Sequence, residues 1–162
     1  MCFELLTKLF GQKMVPPVAD TPVMVIPESE TITITREAFV AKMQEYGIQP
    51  LSPLNPLDSI VRLASKAELD RIAPDLVYPA DWYITDLWDC EDYGLQAQLD
   101  AGRRFEVTVR LVLGDTPQRH GWAATLDKDL NLWMLESNSG FEYAGQWFRK
   151  GDNGYIPDKV FI

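Results

Sequence analysis

The chain has 162 residues, 24 of them acidic and 15 basic, for a formal net charge of −9. That length suits one domain with a sizeable core, and the acidic surplus argues against a nucleic-acid binder and against attachment to anionic lipid by charge alone. Two cysteines, Cys2 and Cys90, and a single histidine, His120, exclude a disulfide framework and leave a Cys/His zinc site short of ligands.

In chain order, Met1–Met14 carries Phe3, Leu5, Leu6, Leu9 and Phe10 at helical spacing. It reads as an amphipathic segment that docks on the body or on a protein partner. Membrane contact through a lipidated Cys2 is the lesser alternative. Glu4 and Lys8 break any signal-peptide core, and no run of apolar residues is long enough to cross a membrane. Val15–Glu30 has four prolines and reads as an extended strap, so residues 1–30 form an appendage and the domain is expected over 31–162. Thr35 caps a helix over Arg36–Tyr46 that Gly47 ends. Gln49–Pro56, with three prolines, is a loop, and Leu57–Leu63 is expected as a short helix. Ser65 and Glu68 fit a capping box for a helix to about Ile72.

Pro79–Trp88 is aromatic-rich and irregular, which suits a cleft wall. A helix starts in Asp89-Cys90-Glu91-Asp92-Tyr93 and is expected to stop at Gly102. Phe105–Leu113 alternates apolar and polar residues as a half-buried strand does. Gly114–Arg119 is a turn, Gly121–Leu126 a second strand, Asp127–Asn131 a tight turn and Leu132–Ser137 a third strand. Helices followed by an antiparallel meander give an α+β domain. Phe141–Ile162 reads as a cover over the sheet or an interaction surface.

Two features carry chemistry. Cys90 lies at a helix start, where free backbone N–H groups favour a thiolate. His120 opens a strand, and a hairpin turning at Lys128-Asp129 sets it opposite Ser137 with Glu136 beside it. A carboxylate there fixes the imidazole's tautomer, and the imidazole can draw the proton from a thiol. Against this stand an ordinary buried cysteine, a turn-capping histidine and a solvated strand-end acid. Asn138 is the second choice for orienting the imidazole. The acids at 89, 91 and 92 disfavour a thiolate at Cys90, because charges about 4 Å apart interact by about 4 kcal/mol at a surface-like dielectric, above the roughly 1 kcal/mol of a helix dipole. Lys or Arg partners, or a bound cation, would relieve them.

These segments, Asp-Cys-Glu-Asp-Tyr at 89–93, His-Gly-Trp-Ala at 120–123 and Leu-Glu-Ser-Asn at 135–138, resemble the transglutaminase-like cysteine peptidase group of the papain-like superfamily. The resemblance covers roughly Trp82–Gly140. Some bacterial and phage relatives have Glu-Pro-Gln where this chain has Glu136-Ser137-Asn138. It departs from the group at Gly94, where a small alanine is usual, and at Arg119, where glycine precedes the histidine. The resemblance implies a papain-like core with Cys90 as nucleophile, His120 as base and Glu136 as orienting acid. The implied reaction is amide hydrolysis or acyl transfer through a thioester on a protein or peptide substrate, and no cofactor is required. Calcium-dependent bacterial relatives make Asp89 and Glu91 candidate calcium ligands. The alternative is a binding or phage/bacterial assembly module that keeps the scaffold without turnover. The expected location is the cytoplasm or a virus particle.

Overall fold

The computed structural model describes residues 24–51 and 59–162. The expected helix over Met1–Met14, most of the proline strap and the second half of the proline loop lie outside them. The elements are β1 (Thr31–Thr35), α1 (Arg36–Glu45), β2 (Gln49–Pro50), β3 (Ile60–Ala64), α2 (Lys66–Ile72), α3 (Cys90–Phe105), β4 (Arg110–Thr116), β5 (Gln118–Leu126), β6 (Leu132–Leu135), β7 (Trp147–Phe148) and β8 (Ile156–Val160). The architecture is α+β: a six-stranded sheet of order β2-β8-β4-β5-β6-β7 and a two-stranded antiparallel sheet of β1 and β3.

Local chemistry explains the elements. The Thr35 hydroxyl accepts the Ala38 N–H at 3.2 Å and opens α1; Gly47 closes it at φ +78°. Ser65 accepts the Glu68 N–H at 3.3 Å and opens α2. The capping box is only half made: Ser65 N–H is taken by the Glu30 carbonyl where β3 leaves β1, and the Glu68 carboxylate pairs with Arg71. The expected helix over Leu57–Leu63 is corrected: Ile60–Ala64 is β3, with Val61, Leu63 and Ala64 buried. A short buried apolar run suits either state, and pairing with β1 decides it. The loop expected over Gln49–Pro56 begins as strand, since Gln49–Pro50 pairs parallel with β8.

Gly102 does not stop α3. The helix continues to Phe105 and ends at Glu106, whose φ is +56°. Tyr93, Ala97, Ala101 and Phe105 form one buried stripe four residues apart. Burying Phe105 contributes about 1.5–3 kcal/mol, more than the roughly 1 kcal/mol that a helical glycine costs. The strand expected from Phe105 therefore starts only at Arg110, although Phe105, Val107, Val109 and Leu111 are all buried as the alternation requires. The turn before β5 is tighter than Gly114–Arg119: Thr116 pairs with Gln118 around Pro117.

The large sheet is covered on both faces. Ala123 and Leu135 share a buried cluster with Tyr93, Ala97, Leu69 and Ile72; Trp122, Ala124 and Met134 share another with Phe39 and Met43. The packed body also takes in Ile26, which is fully buried, while Met24 N–H donates to the Arg104 carbonyl. The closing segment is not a cover: it supplies β7 and β8, and β8 lies between β2 and β4. Among the described residues no helix is long and apolar enough to cross a membrane.

Candidate active site

The Asp127 carboxylate makes the β5–β6 turn by accepting N–H groups from Asp129 and Asn131, both at 2.9 Å. The hairpin then runs in register with Ala123 opposite Leu135, one residue from the expected pairing. Past Leu135 the strands part, and Glu136 crosses to an isolated bridge with Ala144. Where they part, His120 Nε2 meets Glu136 Oε2 at 2.8 Å. The two side chains are 8% and 1% exposed, so the pair is shut away from solvent on the carboxylate side.

Glu136 is fully held. Besides the imidazole on Oε2, the Asn138 backbone N–H donates to Oε1 at 3.0 Å, and the Tyr155 hydroxyl donates to Oε2 at 3.0 Å. A buried carboxylate needs such donors, since leaving one unsatisfied costs several kcal/mol. Asn138 does not orient the imidazole: its side-chain Oδ1 accepts from Gly140 N–H at 2.9 Å, and it acts on Glu136 through its backbone. The His120 ring lies between aromatic neighbours, 5.0 Å from Phe141 and 5.8 Å from Trp122 by centroid. Because the bond to Glu136 uses Nε2, Nδ1 is the ring nitrogen available to a proton donor. Neither Tyr155 nor Phe141 carried any periodic or motif signal in the closing segment.

Cys90 is the first residue of α3, as expected. The helix approaches β5 through two glycines: a Cβ on Gly121 would lie 3.3 Å from the Glu91 backbone, and one on Gly94 would lie 3.3 Å from the Trp122 carbonyl. The thiol is thereby brought to the Gly121 N–H, the residue after His120, and that contact favours a thiolate. It is outweighed. Burial first, then a hydrogen bond from Sγ to Glu91 Oε2 at 2.9 Å, then the Glu91 and Asp89 charges push the Cys90 thiol up to about 12. In this arrangement the thiol donates to Glu91 and not to the imidazole.

Among the described residues the three acids are handled without Lys or Arg partners. Asp92 Oδ2 accepts the Asp89 N–H at 3.1 Å and so serves the helix start. Asp89 and Glu91 share a hydrogen bond that raises the Asp89 carboxyl and holds Glu91 below the usual carboxylate range. Asp89, Cys90 and Glu91 place one ligand atom each within 4.8 Å of one another. That set is two carboxylates and a thiol, whereas calcium takes roughly six to eight oxygens. Among the described residues, these side chains alone do not complete a calcium shell.

The flanks of the site are firm. Arg119 is turned across β4 to β8, with Nη2 2.8 Å from Asp158 Oδ1. The aromatic wall is tied alongside Glu136: Tyr78 N–H donates to the Ser137 carbonyl at 2.8 Å, Ser139 N–H returns to the Tyr78 carbonyl at 3.0 Å, and the Tyr93 hydroxyl reaches the Pro79 carbonyl at 2.8 Å. Trp82 stacks on Tyr78 and meets Trp88 edge-on, so these rings serve as wall.

No protein-family model matches the chain, and no curated protein matches it. Among solved structures the chain is similar to a PSL1a–E64 complex, at 10% sequence identity and a TM-score of 0.57, over 80% of this chain and 51% of that one. This chain thus spans about half of that chain's length. At this identity the likeness is one of fold alone, and the fold is α+β.

Proposed function

We propose that this chain is a thiol hydrolase or acyl transferase of the transglutaminase-like, papain-like kind. Cys90 is the nucleophile, His120 the base and Glu136 the acid that holds His120. The observation that carries the reading is the buried 2.8 Å contact between His120 Nε2 and Glu136 Oε2 beside the helix that begins with Cys90. The fold likeness to a structure that holds E64 lends support.

In the reaction, the Cys90 thiol turns from Glu91 towards His120, and its proton passes to Nδ1 as sulfur attacks the substrate's amide carbonyl carbon. A thiol at about 12 supplies thiolate at only about one part in 10⁵ at neutral pH, so proton transfer to the imidazole accompanies attack. The tetrahedral intermediate collapses, the C–N bond breaks, and the amine leaves with the proton from Nδ1. Water or a second amine then resolves the thioester. Glu136 steadies the imidazolium throughout. The Cys90 backbone N–H, at a helix start, is a donor for the developing oxyanion. The substrate is a protein or peptide, and the cytoplasm or a virus particle is the expected setting.

A second reading, a binding or assembly module without turnover, is favoured by one observation: the thiol rests on Glu91. Iodoacetamide near neutral pH separates the two, with peptide mapping to tell Cys90 from Cys2. The catalytic reading expects capture of Cys90 to slow in His120→Ala, and expects Cys90→Ala to abolish amide hydrolysis or transfer. Capture indifferent to His120→Ala, with every activity intact in Cys90→Ala, overturns it.

A further inference from the structure

We infer that Tyr155 is a positioning residue of this site, holding the Glu136 oxygen that the imidazole uses; the inference rests on the catalytic reading above. Tyr155 stands at the entry to β8, in a segment whose chemistry nothing in the sequence disclosed, and is 4% exposed. Its hydroxyl donates at 3.0 Å to Glu136 Oε2, the same atom that His120 Nε2 meets at 2.8 Å. The Asn138 N–H holds only Oε1, and a carboxylate held at one oxygen can still swing the other. The phenol removes that freedom.

Two further features show that the phenol is itself fixed. Its ring meets Phe148 edge-on at 4.8 Å and Trp122 edge-on at 5.0 Å. The next strand residues are drawn against β4 at Gly114, where a Cβ would fall 2.2 Å from the Ile156 carbonyl oxygen and 2.7 Å from Pro157 Cα. Burial, then the Glu136 charge, raises the phenol above its ordinary value, so it remains a proton donor wherever the site would work. Geometry thus links the last strand to the imidazole through one shared oxygen atom.

The chain has a single histidine, so imidazole NMR reads His120 alone. In the unaltered protein the neutral ring is expected to carry its proton on Nε2, with that proton and the Tyr155 hydroxyl proton both protected from exchange. Tyr155→Phe keeps the ring packing and removes one oxygen. The expected result is a mixed-tautomer ring, exchange of the Nε2 proton faster by about tenfold, and iodoacetamide capture of Cys90 slower by about tenfold, the loss that accompanies one hydrogen bond to a charged group. An unchanged tautomer and an unchanged capture rate overturn the inference, as does a lowered melting temperature with the tautomer unmoved. Should Tyr155→Phe fail to fold, the unaltered protein still decides: a Tyr155 hydroxyl proton that exchanges freely with water overturns the inference. If Cys90 of the unaltered chain is inert, the catalytic reading falls while the imidazole signals still report on Tyr155. If Cys90 is reactive through His120 but indifferent to Tyr155→Phe, only the present inference falls.

Discussion

The two sides of the candidate site are built on opposite principles. On the histidine side the acid is fully answered: the Glu136 carboxylate takes three donors, from β5, from the chain just past it and from the entry to β8. On the cysteine side charges of one sign crowd together, Asp89 against Glu91, and the thiol is left donating to a carboxylate. A buried network that is fully satisfied is rigid, whereas a crowded, partly exposed one is easily shifted. In the proposed reaction the imidazole and its acid are therefore preorganised, and the thiol is the member that must move.

The largest effect is expected from breaking the rigid side. Glu136→Ala leaves a buried imidazole, a phenol and an amide N–H facing a void, and stability in urea is expected to fall by about 3–5 kcal/mol. A loss below about 1 kcal/mol would show that the network carries little.

Next comes the spacing between the two sides. At Gly94 a Cβ would already lie 2.6 Å from Leu111 Cδ1 and 3.3 Å from the Trp122 carbonyl. Gly94→Val pushes α3 off β5 and is expected to cost about 1–3 kcal/mol. It should also slow iodoacetamide capture of Cys90 relative to its effect on Cys2; equal effects on both thiols would deny that this contact sets the approach.

The smallest change sharpens the cysteine side. Burial, the first cause of the raised thiol, persists in Glu91→Gln, but the Glu91 charge and its hydrogen bond to the ionised carboxylate are lost. The midpoint of Cys90 alkylation with pH should move down, with capture faster by about tenfold for each unit of that movement. The sign for stability follows from the same shift. A thiol raised in the folded state binds more protons than its unfolded counterpart above the ordinary thiol value, so folding stability declines as pH rises from about 9 towards 12. Glu91→Gln should reduce that alkaline decline, which equilibrium unfolding against pH would read.

Much of the histidine side was legible because it depends on short-range chemistry. Asp127 and Asn131 announce their turn, and a hairpin through that turn must bring the neighbourhood of residue 136 to His120. A register one residue out did not matter, because the strands part before Glu136 and its side chain covers the remainder. The helix start at Asp89–Asp92 was legible for the same reason. What stayed hidden depends on long-range partners. Ile60–Ala64 carries a buried apolar pattern that only β1 resolves, and Gly102 looks like a stop until Phe105 finds its pocket. Tyr155 lies 19 residues past the acid it serves, in a segment without periodicity. Charge crowding at Cys90 was plain in the sequence; that Glu91 itself would accept the thiol's hydrogen was not, since it hangs on one side-chain rotamer.

The most direct test of the account is the iodoacetamide capture rate of Cys90 near neutral pH, compared between the unaltered chain and His120→Ala. A working thiol–imidazole pair predicts a fall of at least about tenfold when the imidazole is removed. Equal rates in the two proteins, with both folded, would mean that His120 takes no proton from Cys90 and would contradict the account.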